Sequence, residues 1–140
     1  MKALVWIVED TWEATVAEAA ALLAPDAQIT LLHVAPAGVE AVLGAPRLGR
    51  RHPPPPARPI AEEAARELLD VAARALGRPA ETVALRGHVE HIVVEAAREA
   101  DLLVLARDGD RARPGPHSLG HAARFVVDHV ACRVLLVWPD

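Results

Sequence analysis

Residues that could bind an anion follow one another in the last third of the chain: Arg107, Gly109, Ser118, Gly120 and His121. An arginine can donate two parallel hydrogen bonds to a phosphate, and glycine lets a bound group approach the backbone closely. A helix that starts here would add N–H groups without intrahelical partners and the positive end of its dipole. The chemistry that these residue types predict is the binding of a phosphate or another anion.

The flanking residues predict the strand and helix that position this site. Leu102 to Ala106 is a short apolar run without polar alternation, which is typical of a strand covered on both faces of a parallel sheet. Glycines and prolines then interrupt the chain, and we expect Ser118 to be the N-cap of a helix. The helix would face the carboxyl end of the strand, where open α/β sheets bind ligands, and Gly120 has no side chain to obstruct it.

This segment resembles the C-terminal signature of the universal stress protein family. In the nucleotide-binding members, that signature is a glycine, two residues, a second glycine, nine residues, and a third glycine followed by serine or threonine. Here Ala106 stands at the first glycine and Gly109 matches the second. Gly120 matches the third after ten intervening residues, and His121 replaces the hydroxyl residue. The resemblance covers nearly the whole chain, but the nucleotide motif has lost a glycine, its spacing and its hydroxyl.

The resemblance implies ATP or AMP as the ligand, and it implies which residues would touch it. Val34 would lie on the base side, and Gly109, Gly120, His121 and Ala122 would contact ribose and phosphate. The other candidate site residues are Ile7, Val8, Glu9, Ala106, Arg107 and Ser118. Because the motif is altered, we expect the site to be vestigial and to bind a nucleotide or anion weakly.

The end of the first strand departs from the family pattern as well. Where the family usually has Asp-Gly-Ser, an ungapped alignment places Val8 and Glu9, followed by Asp10. Glu9 or Asp10 could take the role of the acid near the nucleotide. Alternatively, Asp10 serves only as a helix cap.

The remaining pattern alternates between strands and helices. The predicted strands are Ala3 to Val8, Gln28 to Val34, Thr82 to Arg86, Leu102 to Ala106 and Val134 to Trp138. The predicted helices start at Asp10 or Thr11, run from Ile60 to Leu76, start at Val89, and start at Ser118. This alternation predicts an α/β fold, an open five-stranded parallel sheet with four helices on both faces. The family resemblance implies the strand order 3-2-1-4-5.

Composition limits the class of protein. A chain of 140 residues fits a single domain over residues 1–140. The formal charge of −4 argues against a general nucleic-acid binder, and the apolar run from Ala3 to Val8 is too short to span a membrane. With Cys132 as the only cysteine, no internal disulfide can form, so the cytoplasm is the expected compartment.

Residues 35–59 interrupt the regular pattern with three glycines and seven prolines, including Pro53 to Pro56 in a row. The simpler interpretation is a flexible surface insertion within the domain. The alternative is a docking segment, since proline-rich helices are recognised by aromatic grooves on partner proteins.

Histidine spacing raises the question of a metal. His88 and His91 are three residues apart, and His117 and His121 are four apart, so each pair could share one side of a helix or turn. A structural metal needs about four organised ligands, so we expect none here. No nucleophile with an adjacent base is visible either, and Cys132 fits a buried, inert thiol. The expectation is a protein that is not an enzyme.

The resemblance also implies a homodimer through the last strand, at Val134, Leu135, Leu136 and Val137, and an unpaired apolar edge strand favours such association. The function expected is therefore a non-catalytic regulatory domain of the stress response with an unknown protein partner. Two alternatives stay open: a fully functional ATP- or AMP-binding stress protein, and an interaction module that uses the proline-rich segment.

Overall fold

We analysed a computed structural model of the chain, which describes residues 1–37, 57–109 and 117–139. Its strands are β1 (Lys2–Trp6), β2 (Gln28–Pro36), β3 (Glu81–Gly87), β4 (Leu102–Ala106) and β5 (Arg133–Val137). The α-helices of these ranges are α1 (Trp12–Leu22), α2 (Ala57–Leu76), α3 (Val89–Ala96) and α4 (His121–His129), and a 3₁₀ turn (Ala97–Glu99) follows α3.

The five strands form one parallel sheet in the order β3-β2-β1-β4-β5. The predicted fold class and strand order are therefore confirmed. Val5 of β1 lies between Leu31 of β2 and Val104 of β4, so the first strand is at the centre of the sheet. All carboxyl ends of the strands meet at one edge, which is where the candidate residues were expected.

Helices cover both faces because successive side chains of a strand point to opposite sides. On one face, α1 and α2 pack over Val5, Leu31 and Val104. On the other face, α3 and α4 pack over Leu32 and Leu103. Two apolar layers therefore enclose the sheet, which explains why its central strands read as continuous apolar runs.

Several boundaries differ from the predictions. Strand β1 ends at Trp6, so Ile7 and Val8 follow it. Strand β2 extends to Pro36 and α2 begins at Ala57, so the ends of the expected 35–59 insertion belong to regular elements. The rest of that proline-rich insertion, residues 38–56, lies outside the described residues.

Thr11 occupies the N-cap position of α1, but its side chain makes no capping bond. The buried hydroxyl of Thr15 instead donates to the carbonyl of Thr11 at 2.9 Å. Asp10 is exposed and does not serve as the N-cap. Among the described helices, none is both long and apolar enough to cross a membrane.

The central layer predicts a large difference between two leucines. Leu31 is fully buried in β2, so Leu31→Ala leaves a cavity and should lower the free energy of unfolding by about 2–5 kcal/mol. Leu22 on α1 is 60% exposed, and Leu22→Ala should change that free energy by less than about 0.5 kcal/mol. Urea unfolding followed by circular dichroism measures both, and equal losses would contradict this packing.

Candidate functional site

Three candidate residues at or near the carboxyl ends of strands are packed into the core. Ile7, Val34 and Ala106 are at most 7% exposed. Ile7 and Ala106 pack on the α1–α2 side of the sheet, whereas Val34 packs on the α3–α4 side. The structure therefore brings the three positions to one edge of the sheet but places the Val34 side chain on the opposite face from the other two.

The chain after β1 continues beside β2 before it turns. The N–H of Ile7 donates to the carbonyl of Leu32 at 2.7 Å, and Nδ1 of His33 lies 2.8 Å from the carbonyl oxygen of Ile7. Val8 is half-buried, and its carbonyl accepts from Thr11 at 3.1 Å. Glu9 is exposed on this turn, so its carboxylate lies in solvent at the carboxyl edge of β1. Its acidic role toward a ligand stays a prediction.

Arg107 links β4 to β5. Its N–H donates to the carbonyl of Val137 at 2.9 Å, so the pairing of the two strands extends beyond Ala106. Its guanidinium donates to Oγ of Ser118 at 2.7 Å and lies 5.0 Å from the centre of the Trp138 ring, within reach of a cation–π interaction. The arginine expected to grip phosphate is thus held by two side chains of the chain itself. Two further arginines of this loop, Arg111 and Arg113, lie outside the described residues.

Ser118 does not cap the last helix as predicted. Helix α4 begins at His121, and Gly120 is its N-cap residue in extended conformation. Ser118 is only 1% exposed, and its hydroxyl accepts the hydrogen bond from Arg107. The prediction was wrong because a serine at this point of a sequence can be either a helix cap or a buried acceptor. The partner that decides between them, Arg107, directly follows β4 and is eleven residues away in the sequence.

A glycine is required at position 109 because the backbone of His117 and Ser118 packs closely against it. Its N–H donates to the carbonyl of Ser118 at 3.1 Å. A Cβ atom at this position would lie 2.2 Å from the carbonyl oxygen of His117 and 2.8 Å from the carbonyl carbon of Ser118. The glycine therefore closes the loop, and its N–H is already bonded within the chain.

Gly120 is in contact with the carboxylate of Asp108, which the sequence analysis did not select. The N–H of Gly120 donates to Oδ1 of Asp108 at 2.7 Å. A Cβ atom on Gly120 would lie 2.8 Å from that oxygen and 3.2 Å from Oδ2. The expectation that the missing side chain leaves an open approach was wrong, since Asp108 fills that space. Aspartate is a common capping residue, but this one lies twelve positions from its partner, beyond the range of local capping patterns.

The first turn of α4 holds the last two candidate residues. His121 is exposed at the first helical position, and Ala122 is half-buried against the α3–α4 layer. The dipole of α4 favours a negative charge near this turn, and the Asp108 carboxylate supplies one. The described part of the site is therefore an anion-binding arrangement in which a carboxylate of the chain is the anion.

Of the two histidine pairs noted in the sequence, His88 and His91 are in contact. The rings of His88 and His91 are 4.2 Å apart, and those of His91 and Phe125 are 4.8 Å apart. Nε2 of His88 pairs with the carboxylate of Glu90. Within residues 1–37, 57–109 and 117–139, no group of three or more histidine, cysteine, aspartate or glutamate side chains is placed to hold a metal ion.

Cys132 is half-buried immediately before β5. Burial raises the pKa of its thiol above the ordinary value, because removing the thiolate from water is unfavourable. A raised pKa reduces the fraction of thiolate at neutral pH.

Two clefts of the described structure lie away from the candidate residues. The larger, about 860 Å³, is at the amino ends of β1, β2 and β3 and is lined by Lys2, Gln28 and Glu81 among others. The smaller, about 310 Å³, lies between α2 and β3. None of the predicted site residues lines either cleft.

The two glycines of the loop should respond differently to the same substitution. Gly109→Ala meets backbone atoms that cannot move independently, so it should lower the free energy of unfolding by roughly 1–3 kcal/mol or more. Gly120→Ala meets only the Asp108 side chain, which can rotate into solvent, and should cost about 0.5–1 kcal/mol for the lost capping bond. Chemical denaturation of both variants tests the ranking, and a larger loss for Gly120→Ala would contradict it.

Comparison with known proteins identifies the family. No curated protein sequence matches the chain. Solved structures with a similar fold include a universal stress protein in complex with cAMP, with 21% identity, coverage of 100% of this chain and 98% of that chain, and a TM-score of 0.65.

A universal stress protein from Lactobacillus plantarum has 23% identity, coverage of 98% and 97%, and a TM-score of 0.62. A family member from Arabidopsis thaliana with AMP bound has 18% identity, coverage of 98% and 90%, and a TM-score of 0.62. At these identities, the structural similarity shows a common fold and nothing further. The sequence profile of the universal stress protein family matches residues 3–137, so the chain belongs to the universal stress protein family.

Proposed function

We propose that this protein is a non-catalytic regulatory domain of the stress response, located in the cytoplasm, which holds an adenine nucleotide or another anion weakly. Family membership supports the stress-response role, and relatives of the same fold contain cAMP and AMP. The proposed site is the junction between β4 and α4 at the carboxyl edge of the sheet, where Gly109 and Gly120 let other groups approach the backbone closely.

The observation that carries this proposal is that the N–H groups of both glycines already donate hydrogen bonds within the chain. Gly109 donates to the carbonyl of Ser118, and Gly120 donates to the carboxylate of Asp108. A nucleotide phosphate must displace these internal acceptors before it can accept the same hydrogen bonds. The net gain from each exchanged bond is small, so binding should be weak.

Contacts of the described side chains also favour a function without turnover. The Ser118 hydroxyl, which lies in the connection between β4 and α4, accepts a hydrogen bond from the guanidinium of Arg107. Arginine stays protonated in proteins and cannot remove the hydroxyl proton as a general base. Ser118 is therefore held as a structural acceptor, and the raised pKa of Cys132 makes its thiol a poor nucleophile.

Calorimetric titration with ATP and AMP, with and without Mg²⁺, tests the binding part of the proposal. We expect a weak, saturable signal with a Kd of about 1 mM or higher, because ligand bonds replace internal ones. ADP should not accumulate in the same samples over hours, as measured by chromatography. Steady hydrolysis that follows the protein concentration would contradict the non-catalytic role.

The alternative is a stress protein for which ATP or AMP is the functional ligand, and the AMP bound to the Arabidopsis thaliana relative favours it. Its distinguishing outcome is saturable binding in the micromolar range. The interaction module based on the proline-rich segment stays a prediction, since residues 38–56 lie outside the described structure.

We also propose a homodimer through β5. This strand is at one edge of the sheet, and Val134, Leu135 and Leu136 are only half-buried along it. An edge strand with apolar side chains and unpaired backbone groups favours pairing with a second copy. The partner that fits is another chain with the same strand.

A charge on β5 should weaken this dimer. Leu136→Lys places an ammonium group in the proposed interface, so the variant should sediment as a monomer at concentrations where the unmodified protein is dimeric. Leu85→Lys is the matched control, because Leu85 is 42% exposed on β3 at the opposite edge. Circular dichroism checks that both variants are folded. A monomeric unmodified protein, or dissociation caused equally by both variants, would rule out the β5 interface.

A further inference from the structure

We propose that the edge of β3 binds an extended segment of a partner protein, which adds to the five-stranded sheet as a further strand. The segment that fits runs antiparallel to β3, with a basic residue opposite Glu81, an acidic residue opposite Arg86 and apolar residues opposite Val83 and Leu85. Because β3 and β5 are at opposite edges of the sheet, this surface is separate from the proposed dimer interface and from the junction between β4 and α4.

Strand β3 has an edge along which no other described strand pairs. All of its residues pair with β2, from Thr30 opposite Glu81 to Pro36 opposite Gly87, and β3 ends the strand order. An edge strand directs alternate N–H and C=O groups away from the sheet, where another chain can pair with them. Charged side chains or proline commonly protect such an edge, whereas residues 82–85 are Thr-Val-Ala-Leu. Among the described residues, this edge is therefore suited to strand pairing.

The two clefts of the described structure lie on either side of this strand. Glu81 and Val83 line the larger cleft of about 860 Å³, and Thr82 and Ala84 line the smaller cleft of about 310 Å³. Leu85, which is 42% exposed, lines both. Successive side chains of a strand point to opposite faces, so a strand added beside β3 would direct alternate side chains into the two clefts. Strand addition takes its affinity from main-chain hydrogen bonds and its specificity from such pockets.

Both clefts offer apolar surface to the incoming side chains. Leu4 and Leu32, each at most 5% exposed, line the larger cleft. Ala65 and Leu69, each at most 6% exposed, line the smaller one. Apolar side chains that enter the clefts would be removed from water against these residues, which favours binding.

The charged lining residues differ between the two clefts. In the larger cleft, carboxylates outnumber basic groups: Glu81 and Glu99 against Lys2. In the smaller cleft, guanidinium groups outnumber carboxylates: Arg66 and Arg86 against Glu62. Opposite charges that face each other across two strands stabilise the pairing. The partner segment therefore carries a basic side chain on the face of the larger cleft and an acidic side chain on the face of the smaller cleft.

The same charges argue against a second copy of this chain as the occupant. Two β3 strands related by a twofold axis would pair antiparallel, and residues directly opposite each other would lie on the same face of the joined sheet. Glu81 and Arg86 line clefts on opposite faces, so neither would meet its complementary charge directly. A partner segment of different sequence has no such restriction.

Fluorescence anisotropy with synthetic peptides tests this inference. The first probe is a labelled, capped hexapeptide, Glu-Leu-Thr-Val-Thr-Lys, whose antiparallel alignment places its Glu opposite Arg86 and its Lys opposite Glu81. The second probe has Glu in place of the final Lys, which reverses only the charge opposite Glu81. Two further probes carry N-methyl groups, one at Leu and Val and the other at both Thr residues, so each blocks a different set of alternate N–H groups.

Leu85→Lys places a charge at the side chain that borders both clefts, and it should weaken binding of the first probe about tenfold or more. Val71→Lys is the matched control, since Val71 on α2 is 39% exposed and lines neither cleft, and its affinity should stay within about twofold of that of the unmodified protein. The unmodified protein should prefer the first probe over the second by about threefold or more, and Glu81→Lys should reverse this preference. Circular dichroism verifies that each variant is folded.

One of the N-methylated probes should lose binding and the other should keep it, because only one set of alternate N–H groups faces β3. Equal behaviour of these two probes would overturn strand addition. Failure of the unmodified protein to bind the first probe, or equal weakening by Leu85→Lys and Val71→Lys, would overturn the site itself. Sedimentation distinguishes the other occupant: a lower oligomeric state of Leu85→Lys than of the unmodified protein would show that a second copy covers this edge, which contradicts a partner protein there.

Discussion

The backbone N–H groups at the junction between β4 and α4 need acceptors, and the chain supplies two of them itself. Buried or closely packed N–H groups are rarely left without a partner. Gly109 uses the carbonyl of Ser118, and Gly120 uses the carboxylate of Asp108. Because these bonds close the loop, the same contacts that stabilise the junction also compete with any external anion. Hydrogen bonds that make the loop more stable therefore make the binding of an external anion weaker.

The sheet makes this junction possible. Strand β4 is buried on both faces, with Leu103, Val104 and Leu105 at most 1% exposed, so its carboxyl end has one fixed position. The chain then leaves the sheet after residues 107–109. Helix α4 packs beside α3 on one face of the sheet, with Ala123 and Val126 fully buried. These two constraints bring Asp108 and Gly120 together although they are twelve residues apart.

Arg107 connects the proposed ligand site with the proposed dimer edge. Its N–H bonds to Val137 of β5, its guanidinium bonds to Ser118 of the loop, and the same group lies over Trp138 after β5. A ligand that moves Ser118 would act on the arginine, and the arginine is attached to the edge strand. The proposed site and the proposed interface are thus joined by one residue.

The sequence by itself determined the strands, the helices and the parallel sheet. Short apolar segments alternate along it with segments of 3.6-residue periodicity, and a sheet covered by helices is one of the few folds that buries the apolar residues of both. It also selected Gly109 and Gly120 as positions where a bound group could approach the backbone closely. Only the tertiary structure decided what approaches them. The partners of Ser118, Gly109 and Gly120 are contributed by residues up to twelve positions away, and local propensity contains no information about contacts at that range. The physical reason is that such a hydrogen bond depends on where the sheet and helix place the backbone, which is settled by burial of both apolar faces and not by the residues of the loop.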